Sequence, residues 1–224
     1  MNLKNLNYAL AIFVAIGLVS CSDDDDHVSP NKNASLTLKA SSNHLKAASE
    51  LTFLEAAIHV EEVEFESIEQ DGDDFEVDFK GPFEIDLLTG NSTPEIPTSY
   101  LQVGQYEEVE LELDEDVEVN LFVNGTLSSA GAEPLTFEFY CKEDFEFEAE
   151  GEDTESGYLF EVVEDQTVNI VMEFDVESWF AGVDIASGKT TDGKIIISKQ
   201  SNITLYNAII KNIDEEKLVV YNAE

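Results

Sequence analysis

The chain has 224 residues, with 49 acidic side chains against 11 lysines, no arginine and a formal charge of −38. That charge excludes a nucleic-acid partner, because displacing counterions from a phosphate backbone takes Lys and Arg. A 43% hydrophobic content with 14 Phe and 7 Tyr argues against global disorder, and the length suits one domain or two small ones.

Residues 1–20 read as a signal peptide. Lys4 supplies the positive start, and Tyr8 to Val19 is an apolar stretch too short for a permanent membrane-spanning helix. It ends in Leu18-Val19-Ser20-Cys21, which resembles the lipobox of bacterial lipoproteins. On that resemblance cleavage falls before Cys21, whose thiol carries a diacylglycerol and whose new amino group takes a fatty acyl chain such as palmitate. Two or three acyl chains, at about 0.8 kcal/mol per buried methylene, make a near-permanent membrane anchor. An ordinary secretory signal with an incidental cysteine is the alternative. Ser22, Asp23, Asp24, Asp25 and Asp26 follow directly and resemble the acidic export signal of Bacteroidota lipoproteins. The expected location is therefore the cell outer membrane, facing the exterior, with a periplasm-facing anchor as the alternative. Residues 21–33 form an acidic, flexible tether.

Residues 34–176 read as a series of short strands. Leu36 and Leu38 alternate with polar neighbours, and 41–50 is a loop. Ile58, Val60, Val63 and Phe65 form one apolar row in which Glu61-Glu62 shifts the phase as a bulge would. Asp71-Gly72-Asp73-Asp74 is a turn before Phe75, Val77 and Phe79, and Gly81-Pro82 is a turn before Phe83, Ile85 and Leu87. Asn91 to Pro97 is a polar loop. Val109, Leu111 and Leu113 alternate with Glu108, Glu110, Glu112 and Asp114. Apolar rows recur at Val119–Val123, Leu135–Cys141, Phe145–Ala149, Tyr158–Val163 and Val168–Phe174. The fold class is all-β: an antiparallel Greek-key β-sandwich with a short C-terminal helix.

Residues 177–224 differ in composition and are expected to pack on the sandwich. Trp179-Phe180 is an apolar anchor, Ile195–Ile197 a last strand, and Ser201 or Asn202 the cap of a helix through Asn212 with Leu205, Ile209 and Ile213 on one stripe.

Gly104 two residues before Tyr106, at a strand entrance, resembles the tyrosine corner of Greek-key sandwiches, whose phenol bonds nearby backbone. The strand from Ile58 to Phe65, then Asp86-Leu87-Leu88, then Leu101-x-x-Gly104-x-Tyr106, then Met172-Glu173-Phe174-Asp175, occur in that order. Together they resemble the bacterial lipoprotein family known as domain of unknown function 4382, over about residues 35–176. One departure is Val103, where the family usually has Pro before the Gly. The resemblance implies an immunoglobulin- or transthyretin-like sandwich and lends no catalytic residue.

Candidate chemistry is sparse. His27 lies in the tether, His44 in a loop, and His59 on the acidic side of its strand. No Gly-x-Ser-x-Gly, His-Glu-x-x-His or phosphate loop occurs. Cys141 is in phase with Leu135, Phe137 and Phe139 on an alternating strand, so it reads as a core thiol. Asp71, Asp73 and Asp74 are the candidate metal ligands, and Asp114-Glu115-Asp116 and Glu152-Asp153 are comparable acidic turns. None has a full calcium-loop spacing, so no cofactor is expected beyond non-specific calcium or other cations relieving self-repulsion. The expected role is a non-enzymatic binding, adhesion or structural module with a protein or glycan ligand. The alternative is surface carbohydrate binding or glycan processing, for which Trp179, Tyr100 and Tyr158 are the candidate aromatics.

Overall fold

The organising element is β2 (Leu51–Ser67), a 17-residue strand with three neighbours. The computed structural model describes residues 34–41, 51–68, 75–128, 133–216 and 218–223. Along the first half of β2 the buried residues are Ala56, Ile58 and Val60; along the second they are Val63, Phe65 and Ser67. The even-to-odd switch is at Glu61, the extra residue of a β-bulge against β5 (Gly104–Leu113), while against β3 (Glu76–Asp86) the register shifts at the same place with the extra residue on β3. A bulge adds one residue and bends the strand. The first half of β2 pairs with β6 (Leu121–Leu127) and the second with β5, so one strand is shared between two parts of the sheet.

Gly81-Pro82 is not a turn. β3 runs straight through it, and the two residues together oppose Glu61, between the pairs Val60–Phe83 and Glu62–Lys80. A bulge tolerates proline because the ladder bond it cannot donate is not needed there. Glycine is required at 81, since a Cβ would lie 2.4 Å from the Val60 carbonyl oxygen. The segment expected as a loop after Asn91 begins with a short strand, β4 (Asn91–Thr93), paired to β3.

The large sheet continues from β6 to β7 (Leu135–Cys141), then β12 (Lys194–Ile197) and β11 (Thr190–Thr191). On the far edge of β5 lie β8 (Glu146–Glu150) and β9 (Phe160–Val162). A second sheet of three strands has β10 (Val168–Phe174) between β1 (Ala34–Ala40) and β13 (Val219–Asn222). Pairing is antiparallel except for β1 with β10 and β7 with β12. The sheets pack through rings: Phe174 meets Phe147 edge-on at 5.2 Å and Trp179 at 6.4 Å. The result is an all-β sandwich.

Tyr106 is fully buried and its hydroxyl donates to the Gln102 carbonyl at 3.0 Å, the corner expected from Gly104-x-Tyr106. Its ring stacks on Phe160 at 4.9 Å, and burial pushes its phenol up to about 12, with the hydrogen bond to Gln102 acting the other way.

Residues after 176 are woven into the sandwich. Asp175 caps the short α1 (Val176–Trp179) through the Ser178 N–H. Trp179 and Phe180 are buried, with Phe180 within 6 Å of Phe53, Phe137 and Phe139. The helix α2 (Ile203–Asp214) buries Leu205, Tyr206, Ile209 and Ile213, so the apolar stripe is where periodicity put it. Asn202 stands at the cap position, but its side chain bonds Lys189 and the Ile196 carbonyl instead of the helix. No described helix is long and apolar enough to cross a membrane.

Candidate functional site: an acidic sheet face

The outward positions of β3, β2, β5 and β8 line up across the strands. Glu66 lies between Glu76 and Glu108, and Glu108 faces Glu150. Glu64 lies between Asp78 and Glu110, and Glu110 faces Glu148. Glu62 lies between Lys80 and Glu112, and Glu112 faces Glu146. Three carboxylates each come from β2, β5 and β8 and two from β3, with Lys80 the single cation of the lattice. The Glu61 bulge puts the β2 acids there: it moves even-numbered positions from the buried to the solvent side, so Glu62, Glu64 and Glu66 face outward.

Neighbouring strands are about 4.8 Å apart, a spacing at which two full charges repel by about 1 kcal/mol in bulk water and more beside a protein surface. The carboxyls respond. Partial burial, followed by repulsion from Glu148, Glu66, Glu110 and Glu150, pushes Glu108 up to about 7. Glu64, Glu110 and Glu112 are also raised, first by burial and then by acidic neighbours. Glu76 is raised chiefly by sharing a hydrogen bond with Asp78. Lys80 is held above its ordinary value by its ion pair with Glu62.

Two groups on this face bring carboxylate oxygens within 4.8 Å of one another: Glu62, Glu64 and Asp78, and Glu110, Glu112 and Glu146. Each offers three oxygens toward the six to eight that calcium takes. The turn acids Asp71, Asp73 and Asp74, the sequence-level candidates, lie outside the described residues, as do Cys21, Ser22, Asp23, Asp24, Asp25 and Asp26.

Asp114 departs from its expected outward position: it is 7% exposed, and its carboxylate accepts from the Asp116 N–H at 2.7 Å. His59 sits half-buried opposite Glu84. Cys141 is buried, 3.8 Å from the Tyr206 hydroxyl, and burial pushes its thiol up to about 12. Tyr206 in turn donates to Glu143 at 2.7 Å. Among the aromatics considered for sugar binding, Trp179 is fully buried, Tyr158 half-buried and Tyr100 64% exposed.

Sequence periodicity missed Glu216. It reads as part of a solvated Asp-Glu-Glu run, yet burial pushes its carboxyl up to about 7. One of its oxygens accepts from the Asp175 N–H at 2.6 Å and the other from the Trp179 indole. No local pattern signals this, because both donors lie 37 or more residues away.

Residues 48–198 match the family described as Domain of unknown function (DUF4382), and the chain belongs to it. The matched segment begins just before β2 and reaches past residue 176 to β12, leaving β1, α2 and β13 outside. No curated protein and no solved structure matches the chain.

Proposed function

We propose that this member of the DUF4382 family is a lipid-anchored cell-envelope lipoprotein, carried on the outer face of the outer membrane as a non-enzymatic binding, adhesion or structural module. The lipobox ending at Cys21 and the acidic run Ser22 to Asp26 support the anchor and its direction. The carboxylate lattice on an open sheet face is the observation that carries the module reading. Acids laid out on a broad face present charge to a partner, whereas acid–base catalysis needs two carboxylates facing across an enclosed site. The face also gathers a diffuse cation atmosphere that lowers its self-repulsion.

Labelled palmitate incorporation tests the anchor: label on the full chain and none on Cys21→Ser is expected. Protease shaving of intact cells tests the direction. Survival of the protein while other surface proteins are cut would overturn the outer-face assignment.

A second reading, glycan processing, has one observation on its side. A cleft of about 340 Å3 is lined by Asp144, Glu146, Glu148, Asp214 and Glu216, and the raised Glu216 carboxyl resembles a general acid. Against it, both Glu216 oxygens already accept hydrogen bonds from the protein's own N–H groups. Hydrolysis of a surface glycan that disappears in Glu216→Gln, with the fold retained, would favour this reading.

A further inference from the structure

We propose that the free edge of β13 accepts an extended, lysine-bearing peptide as an added strand, seated in the cleft between β13 and β8. The cleft borders the acidic lattice, with which it shares Glu148 and Glu150, and the proposal does not depend on the membrane anchor.

Two sheet edges flank this cleft. Glu148, Ala149 and Glu150 of β8 line one side and Leu218, Val219 and Val220 the other, around a volume of about 310 Å3. Among the described residues, β8 pairs only with β5 and β13 only with β10. Among the described residues, the outer backbone groups of both strands have no backbone partner. Unpaired N–H and C=O groups along an edge are a template for another strand.

The two edges are not equivalent. Glu146, Glu148 and Glu150 give β8 the charged side chains that keep edges apart. β13 carries none: it reads Val219-Val220-Tyr221-Asn222, and Val219 is 56% exposed. Backbone pairing is therefore assigned to β13. Glu148 and Glu150 of β8 select the side chains of the incoming strand. Leu159 and Val220 supply an apolar floor for alternate residues.

Charge decides the occupant. A second copy would bring its own net −38 against Glu148 and Glu150, which opposes self-pairing. A strand alternating apolar and lysine side chains instead satisfies both walls, and the field of the whole molecule draws it in.

The probe is a seven-residue peptide alternating Val and Lys, added to the full chain in detergent. Its control is the same peptide with alternate backbone nitrogens methylated, which keeps every side chain and removes strand pairing. Saturable binding, at least about tenfold weaker for the methylated control, is expected, with new amide-exchange protection at residues 218–222. E148K/E150K should lose binding. Those changes place Lys opposite Glu110 and Glu108 and so do not threaten the fold. E64K/D78K, with the same change in net charge, should retain it. Equal binding of the methylated peptide, or equal loss in both double variants, would reduce the effect to attraction by net charge and overturn the proposal. No binding, or protection that appears only as copies of the chain associate, would overturn it as well.

Discussion

The sandwich and its C-terminal segment solve the same surface problem in opposite ways. Residues 50–180 hold 39 acids and two lysines, whereas residues 181–224 hold six acids and five lysines. On the β2–β5–β8 face the acids stand opposite one another, and their carboxyls are pushed upward. The C-terminal lysines reach across instead: Lys194 pairs with Glu138 and Lys199 with Glu143, tying β12 and the turn after it to the end of β7. The Lys194 hydrogen bond holds Glu138 below the usual carboxylate range. Local charge balance thus depends on which segment a strand meets, and composition alone does not reveal it.

Deleting Glu61 should break the contrast outright. Without the extra residue, Glu62, Glu64 and Glu66 would turn inward and Val63 and Phe65 outward. Burying even one unpaired carboxylate costs several kcal/mol, so loss of the folded far- and near-ultraviolet dichroism is expected. Trp179→Ala is next. It removes a fully buried ring and the indole that holds Glu216, and should cost about 3–5 kcal/mol in urea unfolding.

The pH dependence separates, by sign, the buried or crowded carboxyls from the one paired with a C-terminal lysine. Glu216 and Glu108 have folded-state values near 7, above the ordinary 4.5, so the folded protein binds more protons than the unfolded chain between those limits. Stability from these groups is greatest below about 4.5 and falls as pH rises through 7. Glu138 acts oppositely: its contribution is present above its ordinary value and lost as pH falls through its lowered one. Melting curves should therefore show a decline from pH 5 to 8 that Glu216→Gln makes shallower. A profile identical to the parent's would refute the assignment to Glu216.

Smaller effects sharpen the picture of the lattice. Glu110→Lys places a cation opposite Glu64 and Glu148 and should stabilise by about 0.5–1 kcal/mol, an advantage that shrinks in 1 M NaCl. Calcium should raise the melting temperature only slightly beyond NaCl at matched ionic strength. A large calcium-specific rise, reversed by EDTA, would instead show that a carboxylate triad is a true site.

Much of this was legible beforehand, for identifiable reasons. Alternation marked β5, β7, β8 and β10, because one face of each is buried and period-two patterning follows directly. The phase slip at Glu61-Glu62 and the Tyr106 corner were legible because each is a local device with its own residue signature. Gly81-Pro82 misled, since the same dipeptide serves a turn or a bulge and only the partner strand decides which. Asp114 misled for a similar reason: alternation put it outside, but the strand ends there and its carboxylate turns in to hold the Asp116 amide.

By itself, then, the sequence determined the strand-rich fold, the side of most strands that is buried, a helix capped near Asn202 and running through Asn212, and the excess of acid. Those follow from short-range periodicity and from burial of apolar side chains. Only the tertiary structure decided which acids face one another, that Glu216 is half-buried against Trp179, and that β8 and β13 border one cleft with edges that, among the described residues, no further strand covers. Each of these depends on register between segments far apart in the chain, set by the packing of the whole core.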